Sequence, residues 1–320
     1  MKIRLYKKND EKGILKLDTL LETHPWNRRN KKNWFWKYKG PNPSGKSIIV
    51  VAEDKNKIVA VFSIIPISYR FNKKLVKGSH SIGMLVHPNW QKKGVIKLVV
   101  EKAISVAKKH KIKFIYGYPN ENAYEIHKLI FDYKDISEQY FYHHNLKFKD
   151  EIDNSKNIVK IKKFSRLHDA FLRNTKKYYK IMLDRNIKFL NWRYISRPDN
   201  KYYAFGYYTN KKFQGYCILK LYKENKILRG HIIDIMTCPN EKKIFNKLIE
   251  FALNFFKKYN CNEVNLWLQG NKNFQKVLLD NKFKINKSRK FICKFNDKKL
   301  EYKFKKDKWY FTMGDTLEIY

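Results

Sequence analysis

The chain is poor in cysteine, in acidic residues and in long apolar runs, and each shortage removes a class of protein. Only four cysteines occur in 320 residues, Cys217, Cys238, Cys261 and Cys293. All fall in the second half, and no two stand at the spacing of a zinc or redox motif. A disulfide framework is excluded, and the cysteines read as reduced core residues of a cytoplasmic protein. No apolar run approaches the roughly 20 residues that a membrane span requires. The opening MKIRLYKKNDEKG carries charge with no apolar stretch behind it, so no signal peptide is expected. Acidic residues number 29 against 70 Lys and Arg, a net charge of +41. Such an excess favours an anionic partner: nucleic acid, an anionic membrane or a phosphorylated cofactor. The lysines are scattered along the whole chain, however, and read mainly as a general composition.

What the chain does contain is a repeat. KKNWFWKYKGPNP followed by SIIVVAEDKNKIVAVFSI is answered by IKFLNWRYISRPDN followed by KYYAFGYYTNKKFQGYCIL. Trp36 matches Trp192, Pro88 matches Pro239 and Tyr133 matches Phe283, at offsets of 156, 151 and 150. Each copy has two strands joined by a polar turn, DKNK or TNKK, as in a β-hairpin. Each continues with a strand, a helix of 3.6-residue period, a further strand and a further helix. Val95, Leu98, Val99, Ala103, Ile104, Val106 and Ala107 define the apolar face of the first long helix. A strand, a crossover helix and a strand imply a parallel pair, and the hairpin before them is antiparallel. The expected fold is therefore α/β with a mixed sheet, in two tandem domains, residues 1–150 and 151–320. The polar stretch KDEIDNSKN (Lys149–Asn157) is the expected linker. The clusters NWFWKY and NWRY recur at matched positions, which favours core packing over ligand stacking.

The most informative stretch is HPNWQKKGVIK, His87–Lys97. A strand enters it and an amphipathic helix leaves it. Such a junction presents free backbone N–H groups at the positive end of a helix dipole, a ready anion site. Gly94 allows close approach of a phosphate, and Gln91, Lys92, Lys93 and Lys97 surround it with donors and charge. The second copy reads CPNEKKIFNKL here, with no glycine and with Glu241 where an anion would sit. That half is expected to be degenerate, shaping an acceptor pocket or supporting the first.

The order V-x-P-x-x-Q-x-x-G, after a strand and before a helix, resembles the acetyl-CoA motif of the GNAT superfamily of N-acetyltransferases, usually Q/R-x-x-G-x-G/A. Gln91 and Gly94 match, and Ile96 stands where a second small residue is usual. GYPNENAYEIHKLIFDYK (Gly117–Lys134) is similar to the GNAT segment in which a strand diverges from its neighbour and an Asn-bearing helix follows. The G-Y-P-N strand end and the tail DKWYFTMGD (Asp307–Asp315) are closest to tandem-GNAT proteins associated with polysaccharide assembly. The resemblance implies splayed central parallel strands flanked by helices. It implies acetyl-CoA held by the backbone of Leu85 and Val86 and by the turn Gln91, Lys92, Lys93, Gly94, Val95, Ile96 and Lys97, with Asn120 and Asn122 at the next helix. It also implies a proton donor to the leaving thiolate seven residues after Asn120, which is His127, with Tyr124 as the alternative donor. The carboxylate of Tyr320 is a candidate base, as some tandem-GNAT enzymes use their own C-terminus. His80, Glu121, Glu125 and Asp234 are further candidates for the base. No metal is expected. The leading reading is transfer of an acyl group from acetyl-CoA to the amine of a small acceptor, such as an amino sugar or sugar nucleotide. A ligase resembling the aminoacyl-tRNA-dependent peptidoglycan enzymes and a non-catalytic basic binding protein remain alternatives.

Overall fold

The computed structural model describes residues 1–21, 31–72, 74–146, 156–198, 201–224, 226–301 and 309–317, without the side chains of 122 and 287–289. The fold is mixed α/β. The linker expected at Lys149–Asn157 lies almost wholly outside the described residues, as does Tyr320.

The chain forms two compact units, and they do not divide at one point in the sequence. The first gathers Met1–Tyr69, Val76–Ser137 and Lys290–Lys305. Its order is β1 (Lys2–Leu5), α1 (Asp10–Leu20), α2 (Lys31–Tyr38), β2 (Ile48–Asp54), β3 (Lys57–Phe71), β4 (Lys74–Val86), α3 (Val95–Lys109), β5 (Phe114–Gly117), α4 (Glu121–Leu129) and the start of β6 (Lys134–Asn145). β2 and β3 form the expected hairpin, with Val51 opposite Val61. Its turn uses Lys55 and Asn56 at φ 44° and 62°, left-handed values that match the twist of the strands it joins. α3 packs on this sheet. Val95, Val99, Val100, Ala103, Ile104 and Ala107 are buried. Leu98, expected inside, is 45% exposed. A stripe centred on Val99, Ala103 and Ala107 takes in Val100 and turns Leu98 outward.

The second unit gathers Arg70–Leu75, Glu138–Arg289 and Lys306–Tyr320. It runs through β7 (Ile158–Lys160), α5 (Arg166–Thr175), β8 (Ile181–Leu183), α6 (Ile187–Leu190), β9 (Tyr203–Thr209), β10 (Lys212–Glu224), β11 (Ile227–Thr237), α7 (Lys242–Lys258), β12 (Glu263–Gln269), α8 (Lys272–Asp280) and β13 (Lys284–Phe295). A short helix α9 (Lys298–Glu301) and a last strand β14 (Trp309–Thr312) follow. The hairpin β9–β10 and the β11–α7–β12 crossover repeat the first unit, as the sequence offsets require. The aromatic clusters are core: Trp34, Trp36 and Tyr38 in one unit and Trp192 and Tyr194 in the other are buried.

Two strands cross the expected boundary. The later part of β13 belongs to the first unit, where Cys293 pairs with Tyr116 of β5 in an antiparallel ladder. The later part of β6 belongs to the second unit, where His144 pairs with Val264 of β12. Each unit is thus completed by a strand from the other half of the sequence.

Candidate functional site

In the first unit β4 and β5 are parallel neighbours, yet they pair for only three rungs: Gly78 with Phe114, Ser79 with Ile115 and His80 with Tyr116. β5 ends at Gly117, whereas β4 runs on to Val86. Ser81–Val86 therefore have no ladder to β5, and a wedge opens between the two strands. Gly83, inside this stretch, has φ 68°. A left-handed residue within a strand re-aims the backbone, which glycine does without steric cost. Ser81 closes the narrow end of the wedge by donating its hydroxyl to the carbonyl of Tyr116 at 3.1 Å.

The wide end leads to the turn singled out in the sequence. Pro88–Trp90 form a single 3₁₀ turn, with the amide of Asn89 donating to Nδ1 of His87 at 3.2 Å. Lys92 and Gly94 then take left-handed values, φ 59° and 73°. Space beside Gly94 is open: a Cβ built there meets no atom within 4 Å. Lys97 N–H donates to Gly94 at 3.1 Å. The amides of Lys92 through Ile96 find no partner among the described residues. These amides and the dipole of the 15-residue helix α3 form an anion cradle. Ile96 does not block it. Its side chain is half-buried and packs against the core cluster under α3, so a β-branched residue stands where the family pattern has a small one without filling the turn.

The remaining side chains of the turn divide their roles. Val95 is 2% exposed and anchors the helix start in the core. Lys92, Lys93 and Lys97 are exposed, and Lys93 Nζ lies 5.7 Å from the centre of the Trp90 ring. The Gln91 amide turns back to the carbonyl of Val86 at 3.3 Å and ties the turn to the end of β4. Leu85 is buried and Val86 half-buried. Asn120 caps α4, accepting from the Ala123 amide at 2.9 Å. The side chain of Asn122 lies outside the description.

The expected proton donors occupy different surroundings. His127 is 6% exposed, between the ring edges of Phe131 and Tyr133. Its Nδ1 lies 2.6 Å from the carbonyl of Ala123. A carbonyl can only accept, so the neutral ring carries its proton on Nδ1 and Nε2 is left as an acceptor. Burial pushes the imidazole pKa below its usual value, against the raising effect of the Ala123 hydrogen bond. In its neutral form the ring therefore has Nε2 as an acceptor, the opposite of the expected donor role. Tyr124 donates to both oxygens of Asp135, at 2.9 and 3.0 Å. Asp135 also binds Lys128. Burial and the Asp135 hydrogen bond raise the Tyr124 pKa, so its proton is held by a surface carboxylate.

The second unit shows what became of the other wedge. β11 and β12 are parallel and pair from Arg229–Glu263 to Ile232–Leu266, then part. The opening is filled by β14. Thr312 and Phe311 pair with Leu268 and Gln269 of β12, and the Tyr310 hydroxyl donates to the carbonyl of Ile235 on β11. Asp234, weighed from sequence as a base, is fully buried in the anchorage of this strand. It accepts from Arg185, Thr312, Tyr194 and Tyr216 at 2.9–3.2 Å. The aromatic run Trp309–Phe311 was the sequence signal for this plug. Among the described residues no group of His, Cys, Asp and Glu could hold a metal ion. Among them, too, no helix is long and apolar enough to cross a membrane.

Residues 2–128 match the family model of the acetyltransferase (GNAT) domain. No curated protein matches the sequence. Among solved structures the chain resembles N-myristoyltransferase of Saccharomyces cerevisiae with bound myristoyl-CoA, at 13% identity and TM-score 0.66, over 92% of this chain and 82% of that one. It is similar to a GCN5-related N-acetyltransferase of Anabaena variabilis, at 11% identity and TM-score 0.66, over 92% and 73%. A protein of Enterococcus faecalis described as a probable N-acyltransferase matches at 11% identity and TM-score 0.67, over 92% and 72%. At these identities the likeness is one of fold.

Proposed function

We propose that the protein is an acyl-CoA-dependent N-acyltransferase with one working site, in the first unit. The observation that carries the reading is the early end of the β4–β5 ladder, at His80–Tyr116, joined along β4 to an open turn of unpaired amides. An extended pantetheine arm fits along β4 past the end of its β5 ladder, where Leu85 and Val86 would offer backbone partners, much as a peptide adds to a strand edge. The amides of Lys92–Ile96 suit the pyrophosphate. A strand amide beside the thioester carbonyl would stabilise negative charge on its oxygen. The structural neighbours whose names cite N-acyl transfer and myristoyl-CoA support the same class.

The acyl group is proposed to be acetyl, and the acceptor a small amine such as an amino sugar or a sugar nucleotide, whose phosphates suit the charge of +41. Acetyl-CoA is a cytoplasmic metabolite, so the reaction is placed there. The base that frees the amine is proposed to be His127, whose Nε2 is the acceptor nitrogen when Nδ1 donates to Ala123. Tyr320, outside the described residues, remains the proposed alternative.

Thermal unfolding with acetyl-CoA, CoA, myristoyl-CoA and tRNA tests this reading. A ligand at a hundredfold excess over its dissociation constant stabilises by about 2.7 kcal/mol, a shift of several degrees. Acetyl-CoA and CoA are expected to give it. No shift with any CoA species at millimolar concentration would overturn the proposal, and a shift with tRNA alone would favour the ligase.

A further inference from the structure

We infer that Ser81 is a catalytic residue that donates a hydrogen bond to the sulfur of the bound acyl-CoA, with Tyr133 positioning it. The inference rests on the transferase reading and names a group at its reacting end. The argument begins with where the ladder stops. Ser79 and Ser81 both send their hydroxyls to β5 carbonyls, Ser79 to Phe114 at 3.4 Å and Ser81 to Tyr116 at 3.1 Å. Ser79 lies within the paired rungs, whereas Ser81 is the first residue past the last one. Its side chain therefore replaces the missing backbone rung and closes the apex of the wedge.

An arm anchored at the turn and lying along β4 reaches Ser81 after Val86, a path of five residues or about 17 Å. Its reactive end meets the half-buried Ser81 hydroxyl first. Gly117 leaves the room: a Cβ at that position would stand 2.9 Å from the Ser81 oxygen.

Tyr133 supplies the second observation. It is 1% exposed, and its hydroxyl is buried beside Ser81 without a hydrogen bond of good geometry. A buried hydroxyl left unpaired is costly. It is satisfied if it donates to the Ser81 oxygen, and that bond holds the oxygen in place when Ser81 turns its single proton from the Tyr116 carbonyl to the sulfur. In the reaction the amine nitrogen bonds to the acyl carbon, the carbon–sulfur bond breaks, and the proton lost by the amine ends on the sulfur. Ser81 keeps its proton throughout and stabilises the thiolate as it forms.

The test needs no acceptor. Free CoA is bound to the wild type and to Ser81→Ala, Ser81→Thr and Tyr133→Phe, and ionisation of the bound thiol is followed by the ultraviolet absorbance of the thiolate. A donor to the charged form favours it. The bound thiol is expected to ionise about one pH unit lower in wild type than in Ser81→Ala. Ser81→Thr restores the wild-type value and Tyr133→Phe falls between. Desulfo-CoA is expected to bind all four equally. Equal ionisation in wild type and Ser81→Ala, with CoA bound to both, overturns this inference alone. Failure of wild type to bind CoA overturns the transferase reading and takes this one with it.

Discussion

Thr312 donates its hydroxyl to Asp234 at 2.9 Å, and that bond fastens the last strand to the floor of the second wedge. Arg185 holds the same arrangement from behind. Its Nε lies 3.0 Å from Asp234 and its Nη2 2.6 Å from Asp315, with all three residues 1% exposed or less. The place that an extended cofactor arm would take in the first unit is taken in the second by the chain itself.

Removing Trp309–Tyr320 should therefore unseat the second unit and leave the β4–β5 wedge of the first intact. Trp309, Tyr310, Phe311 and Met313 are completely buried. The shortened chain is expected to bind a hydrophobic dye and to unfold at lower temperature. A synthetic peptide of the missing sequence, added in excess, should reverse both effects, because strand pairing supplies the contacts in trans. Unchanged melting after truncation would refute the plug.

Asp234→Ala strands the Arg185 charge in the interior. Breaking a buried pair by removing one partner costs about 3–5 kcal/mol. Urea unfolding should show that loss with an unchanged slope. A loss below about 1 kcal/mol, the range of a surface pair, would mean that Asp315 alone satisfies the arginine.

Gly94→Glu tests the phosphate turn. The added Cβ meets open space, so the strain is limited to a left-handed backbone, about 1–2 kcal/mol. The variant should remain folded and lose its thermal shift with acetyl-CoA. A shift equal to that of wild type would place the pyrophosphate elsewhere.

Acid should weaken the fold from pH 6.5 downward. Burial, with the charges of Lys220 and Arg229, lowers the His231 pKa to about 3. Below about 6.5 the unfolded chain takes up a proton that the folded one refuses, so stability falls with pH across that window, by at most ~1.4 kcal/mol per unit from this residue. Burial lowers His127, His144 and His168 in the same direction. His231→Asn should show a shallower loss between pH 7 and pH 5 in urea titrations. Identical slopes for the two proteins would refute the assignment.

Much of this was legible from local pattern. Hairpin turns, helix faces and the strand–turn–helix around Gly94 are written in neighbouring residues, and the offset between copies revealed the repeat. The interleaving of β6 and β13 was not legible, because strand pairing over more than a hundred residues leaves no periodic trace. Nor was the place of the plug, since an aromatic run that anchors the tail does not say which strands it sits between. His127 illustrates a third limit. Counting from Asn120 picks out His127 but not its surroundings, because the Phe131 and Tyr133 rings and the burial around it are set by the fold.

The exchange of β6 and β13 also bears on the history of the chain. Once each copy had lent its neighbour an edge, neither could be discarded. A gene cut back to the copy that keeps Gly94 would encode a sheet lacking the Cys293–Tyr116 pairing. On the proposed reading, the copy without the phosphate turn is kept because its strand completes the sheet of the copy that has it.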